Sequence, residues 1–220
     1  QKAFPSDLVV GEESEYGGAV PATGRAWFID PVDGTKDFIL KNGEWSVMVG
    51  LAIDGRAALG VVFEPAFGRI YAAADGVGSW RLADGRRDRL HVLASKPLGD
   101  AVVINSRNHP DPRVSKVLAA LGITREFDHG SVGCKLARIA EGRADAYFNF
   151  SGKCHMWDTC AAEVVLREAG GALLETDGGP IVYAGTSTRV RAPFFAAGAA
   201  VLAPTLDALA ALRDELQPLS

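Results

Sequence analysis

An α/β layered fold in two subdomains follows from three features of this 220-residue chain. Short apolar segments separated by turn signals fill the first hundred residues, the mark of an antiparallel sheet. Beyond that point, apolar segments of strand length alternate with stretches of helical period. The composition is 48% apolar with a formal charge of −4, enough to bury one substantial core or two tightly joined subdomains, divided here as 1–98 and 99–220.

Residues 8–10 and 26–29 predict the first strands, the second buried and ending at Asp30. Pro31 biases Asp30 toward extended backbone, Gly34 permits a sharp turn, and Thr35-Lys36-Asp37-Phe38 opens a helix. Strands at 45–53 and 57–63 flank Asp54-Gly55, a strong hairpin signal, and another strand spans 69–74. The stretch 81–89 carries Arg81, Arg86, Arg87 and Arg89, but Asp84 and Asp88 interrupt it, so a solvated hairpin loop is expected. A strand at 101–105, helices at 111–121 and 132–141, and a strand at 145–148 follow. A helix at 158–169, ended by Gly170-Gly171, leads to strands near 172–175, 181–183 and 195–200 and a last helix at 205–216.

The composition excludes several functions. No Lys/Arg run forms a stripe, which argues against nucleic-acid binding. No apolar run reaches the roughly 18 residues that span a membrane and no signal peptide precedes the domain, so a cytoplasmic protein is expected. Three cysteines leave one unpaired, as suits a reducing compartment. Cys154, His155 and Cys160 match no zinc spacing and predict packing.

Chemistry concentrates in three acidic signatures: Gly-Glu-Glu-Ser at 11–14, Asp-Pro-Val-Asp-Gly-Thr at 30–35 and Trp-Asp-Thr-Cys at 157–160. The central loop aims Asp30, the Val32 carbonyl and Asp33 at one point, with the Gly34 and Thr35 amides facing outward at a helix start, where phosphate binds. Two unpaired carboxylates about 4 Å apart repel by roughly 4 kcal/mol at an effective dielectric near 20, so the cluster makes sense mainly around a cation. Oxygen-only ligands favour a hard ion, Mg2+ first. Asp158 is also a good helix N-cap, and the two roles can coexist.

Glu-Glu, then Asp-Pro-Val-Asp-Gly-Thr, then Trp-Asp resembles the magnesium-dependent, lithium-sensitive phosphomonoesterase superfamily that includes inositol monophosphatase, over nearly the whole chain. Four stretches are most similar to its 3'(2'),5'-bisphosphate nucleotidases: residues 30–47, Asn105-Ser106-Arg107-Asn108-His109, Gly130-Ser131-Val132-Gly133-Cys134-Lys135, and residues 152–171. Inositol monophosphatases typically place a Glu seven residues before the Trp-Asp aspartate; here that position is Ser151. The resemblance implies an inositol-monophosphatase-like alternating α/β/α/β/α sandwich, here lacking the two N-terminal helices and the metal-site Asp that ends the second. It further implies a homodimer, lithium sensitivity and a place in sulfur metabolism.

The activity expected is removal of the 3'-phosphate of 3'-phosphoadenosine 5'-phosphate by direct attack of water. Glu12, Asp30, the Val32 carbonyl, Asp33 and Asp158 would hold two Mg2+ ions roughly 3.5–4 Å apart. Glu12 and Thr35 would orient the water, and the Gly34 and Thr35 amides would hold the phosphate. Glu13 is either an outer partner or a surface carboxylate. Lys135, Ser131, Gly133, Arg107 and His109 would line the nucleotide pocket beside Asp158, although a surface loop is the plain alternative for Arg107 and His109. The metal signatures alone equally allow an inositol, histidinol or sugar-phosphate phosphatase. They also allow a metal- and nucleotide-binding protein with little turnover.

Overall fold

A computed structural model describes residues 4–14, 16 and 18–216. Seven strands form the first sheet in sequence order: β1 Leu8–Gly11, β2 Arg25–Asp33, β3 Ser46–Ile53, β4 Arg56–Glu64, β5 Arg69–Ala74, β6 Gly78–Ala83 and β7 Arg86–Arg89. Only β1 pairs parallel to its neighbour. The short helix α1, Thr35–Leu40, follows β2. Asp54 and Gly55 both hold positive φ, as a tight hairpin turn requires.

The second sheet contains β8 Val102–Ser106, β9 Arg125–His129, β10 Ala146–Asn149, β11 Ala172–Glu175 and β12 Phe194–Ala197, in the order β11-β12-β10-β8-β9. Its helices are α2 Pro112–Leu121, α3 Val132–Ala140, α4 Met156–Glu168 and α5 Ala199–Ala211. Helices α3 and α4 pack on each other and against strands of both sheets, while α2 and α5 pair beyond the second sheet. The layers are therefore sheet, helix pair, sheet, helix pair, an α/β sandwich with a core cluster that runs from Val10 to Ala196.

A pair of glycines sets where α4 sits. Gly50 and Gly60 are cross-strand partners facing α4, and a Cβ on Gly60 would lie 2.0 Å from the Ala161 carbonyl oxygen. The helix backbone thus rests directly on the sheet and carries Asp158 with it. Gly60→Ala is expected to cost about 3 kcal/mol or more, since backbone must shift, and thermal unfolding measures it.

Several expected elements are corrected. β2 continues past Asp30 to Asp33, with a register irregularity between them that turns both carboxylates to one side. Residues 81–89 belong to two paired strands, where Arg87 stacks on Trp80 at 3.8 Å. β9 was not anticipated, because its Arg-Glu-Phe-Asp-His sequence lacks an apolar alternation and lies at the sheet edge. Residues 181–183 form no strand: after Gly178-Gly179-Pro180 the chain crosses to the first sheet, where Tyr183 N donates to Gly55 O. α4 starts at Met156, so Asp158 lies inside its first turn. α5 begins at Ala199, six residues before Thr205, and keeps Pro204 inside its first two turns, because burying Val201 outweighs the missing amide.

Candidate active site

Asp30 and Asp33 come from the irregular end of β2 and Asp158 from the first turn of α4. One carboxylate oxygen from each lies within 4.8 Å of the others. Asp30 accepts the Val32 amide at 2.9 Å. Asp158 accepts the His155 amide at 2.6 Å. Asp33 Oδ2 accepts both the Ser131 hydroxyl and, at 2.8 Å, the Gly133 amide at the start of α3. The Thr35 hydroxyl donates to the Val32 carbonyl at 3.2 Å. Gly34 makes the turn with φ +91.

The electrostatics follow from this crowding. Burial, then the charges of Asp33, Asp158 and Glu12, push the Asp30 carboxyl up to about 10. Burial and the Asp33 charge push Asp158 up to about 7. Asp33 is raised by burial too, against the lowering effect of Ser131, Gly133 and Lys135. Carboxyls pushed up by burial and by one another's charge are the group a divalent cation would relieve. The donor set is all oxygen, so these residues fit Mg2+ and fit zinc poorly. Cys134, Cys154 and Cys160 are free and buried, as packing residues should be.

A cavity of about 460 Å³ opens beside the trio and reaches Asn105, His109, Ser115, Lys135 and Phe150. This arrangement pairs a cation-seeking floor with polar walls deep enough for a small organic phosphate. The inositol monophosphatase family pattern matches residues 1–211. This chain belongs to that family.

The family member is 36% identical over 159 residues to the 3'(2'),5'-bisphosphate nucleotidase CysQ of Escherichia coli (strain K12), a match covering 72% of this chain and 62% of that protein. It is 33% identical over 193 residues to inositol monophosphatase 2 of Rattus norvegicus, covering 82% and 64%. The chain thus spans less than two thirds of the length of either relative. Two solved structures agree on the fold: CysQ from Bacteroides thetaiotaomicron (TM-score 0.78, 23% identity, covering 90% of this chain and 79% of that one) and inositol monophosphate-bound SaIMPase-II (TM-score 0.81, 22% identity, covering 98% and 81%).

The other expected site residues of this family member fall in different places. Glu12 and Glu13 are exposed; Glu12 acts on Asp30 and Asp158 through its charge but stands outside the close trio. Ser131 and Gly133 face Asp33, and Gly133 packs α3 against Ser46 and Met48. Lys135 is 2% exposed, its Nζ 3.3 Å from Ser106 Oγ and 4.8 Å from the Tyr147 ring centre. Burial lowers its ammonium pKa and the Asp33 charge opposes that. His109 reaches the cavity mouth.

Arg107 is turned away from a phosphate role. Its guanidinium forms a bidentate pair with Glu44 at 3.0 and 2.7 Å and also donates to Asp128 O. Glu44 in turn accepts the Gly130 amide at 2.8 Å. Asn42 and Asn108 each donate to Asp37, at 2.6 Å. These contacts brace α1 against the turn that carries Ser131, and Ser131 holds Asp33. Ser131 has φ +52, a conformation that costs about 1–3 kcal/mol and persists only under such restraint. The brace predicts that Glu44→Gln and Arg107→Lys each lower kcat about tenfold, with less than additive loss together, which a double-mutant cycle checks. Sequence reasoning missed Glu44, Asp37, Asn42, Asn108 and Ser46 as site-builders; two of them lie just after α1 in Asn42-Gly43-Glu44, a polar run in which the partners of Glu44 lie far along the chain.

Proposed function

We propose that this chain is a Mg2+-dependent phosphomonoesterase whose substrate is the 3'-phosphate of 3'-phosphoadenosine 5'-phosphate. The observation that carries the reading is the close Asp30, Asp33 and Asp158 trio, of which Asp33 and Asp158 line a cavity together with Lys135. Similarity to the Escherichia coli nucleotidase supports the choice of substrate. Mg2+, held by Asp30, Asp33, Asp158, the Val32 carbonyl and Glu12, would supply charge neutralisation and an acidified water.

The remaining work falls to the chain. The Thr35 hydroxyl directs its proton to the Val32 carbonyl, which leaves its oxygen lone pairs free to accept a hydrogen bond from the attacking water and orient it. The α3 turn fixes Asp33 by two hydrogen bonds, so the carboxylate does not reorganise as charge moves at phosphorus. The Gly34 and Thr35 amides receive phosphate oxygens. The Lys135 ammonium, beside Asp33 and over Tyr147, offsets negative charge where the sugar meets the phosphate.

The test is phosphate release at fixed Mg2+ from 3'-phosphoadenosine 5'-phosphate, inositol 1-phosphate, histidinol phosphate and fructose 1,6-bisphosphate. A preference for the nucleotide of about a hundredfold in kcat/KM, near 2.7 kcal/mol of discrimination, is expected. A flat profile retires the nucleotide. Lys135→Ala is expected to raise KM for the nucleotide about tenfold with little change in kcat, and an equal fall in kcat would place Lys135 in the chemical step instead.

A further inference from the structure

The turn after α1 holds the chain's only Asn-Gly pair, Asn42-Gly43; the other three asparagines precede Ser106, His109 and Phe150. The nitrogen of the following peptide can attack an asparagine carboxamide, and the next side chain normally shields that nitrogen. Glycine has no side chain to do so. Gly43 holds φ +83, and its amide donates no hydrogen bond among the described residues. Asn42 is exposed, so water reaches it.

The neighbouring groups favour that attack. The Glu44 amide donates to Asn42 Oδ1 at 2.9 Å, an Asx turn that folds the carboxamide over the peptide joining Asn42 to Gly43. The same donor faces the oxygen on which negative charge develops when the Gly43 nitrogen adds to Cγ. The position is also one where the product matters. Asn42 Nδ2 donates to Asp37 Oδ1 at 2.6 Å, and Asp37 is 0% exposed. Its other oxygen takes Asn108, and the nearest cation, Arg107 at 3.8 Å, is already paired with Glu44.

We propose that Asn42-Gly43 is a site of self-modification, a deamidation that unfastens the brace between α1 and the Ser131 turn. The Gly43 nitrogen bonds to Asn42 Cγ, the Cγ–Nδ2 bond breaks, and ammonia leaves with the proton that the Gly43 nitrogen gives up. Water then opens the five-membered imide. Opening at Cγ leaves aspartate; opening at the main-chain carbonyl of residue 42 leaves isoaspartate, with one methylene more in the main chain. Aspartate replaces the donor at the Asp37 contact by a second carboxylate oxygen, and the two charges repel. Isoaspartate shifts Gly43, which packs closely on the Phe67 ring and Ala66. Either product displaces Glu44 from Arg107 and the Gly130 amide. The modification is independent of the phosphomonoesterase reading, and only its effect on rate rests on that reading.

The full chain is incubated in mildly alkaline buffer, folded and, in parallel, unfolded in urea, and its peptides are followed by mass spectrometry and an isoaspartate assay. The peptide covering Asn42 is expected to gain about one dalton, with isoaspartate, ahead of those covering Asn105, Asn108 and Asn149. The folded protein should convert at least as fast as the unfolded chain. Conversion more than about tenfold slower when folded, or no preference for Asn42, overturns the site, since the two hydrogen bonds would then shield the carboxamide. Asn42→Gln, too long to close the five-membered ring, should hold its own starting rate of phosphate release throughout, while the unaltered protein loses rate in step with conversion. Asn42→Asp is expected to lower kcat about tenfold, with KM moved by less than about twofold, and to lower the melting temperature. Full conversion at unchanged kcat overturns the link to the brace. In a protein that releases no phosphate, the mass gain still decides the modification and the melting temperature of Asn42→Asp decides the unfastening, so hydrolysis can fail while both stand.

Discussion

Asp33→Asn is expected to lower Mg2+-dependent phosphate release by at least about a thousandfold, because it removes a ligand charge from the centre of the site. The substitution keeps the side chain's shape, so the loss should not come from unfolding. Asp33 is also where three parts of the molecule meet: the end of β2, the Ser131 hydroxyl and the Gly133 amide of α3. Both of those bonds go to Oδ2, so an asparagine with its carbonyl oxygen at that place still accepts from Ser131 and Gly133. Thermal unfolding with Mg2+ chelated should therefore change little beside the loss of rate. Wild-type rates in Asp33→Asn would mean that the carboxylate trio is not the metal site.

The second large effect concerns stability rather than rate. Asp30 is 1% exposed and its carboxyl is pushed up to about 10, against about 3.9 for an unfolded aspartate. Asp158 is pushed up to about 7. Groups raised in the folded state bind more protons there than in the unfolded chain, so their contribution to stability is greatest below the unfolded pKa. It falls as pH rises toward the folded values, a window from about 4 to about 10 for Asp30 and to about 7 for Asp158. With Mg2+ chelated, stability should drop by on the order of 2 kcal/mol between pH 6 and pH 8. Mg2+ should restore it by binding the ionised form.

Asp30→Asn should flatten that pH dependence and raise the melting temperature of the chelated protein, while removing the gain from Mg2+. Asparagine can keep the bond from the Val32 amide without carrying a buried charge. A melting temperature that is flat from pH 6 to pH 8 in the unaltered, chelated protein would show that the carboxyls are not held up by burial and mutual repulsion.

The carboxylates were legible in the sequence because local chain chemistry fixes them. Pro31 and Gly34 shape the loop around Asp30 and Asp33, and the first turn of a helix carries Asp158. The hairpin at Asp54-Gly55 was legible for the same reason. What the sequence hid was the support. Ser131 reaches Asp33 across 98 residues and Arg107 reaches Glu44 across 63, and no periodicity or turn signal encodes a partner at that distance. Arg107 therefore read as either a pocket-lining residue or part of a surface loop, and its pairing with Glu44 went unseen. The edge strand β9 and the long start of α5 were hidden by weak local signals, one by charged residues and the other by Pro204.

The most direct test of the account is phosphate release from 3'-phosphoadenosine 5'-phosphate by this chain, followed as Mg2+ is added to the chelated protein. The account predicts no release under chelation and a saturable rise with Mg2+. Release that is equal with and without Mg2+, or none at any concentration, would contradict it.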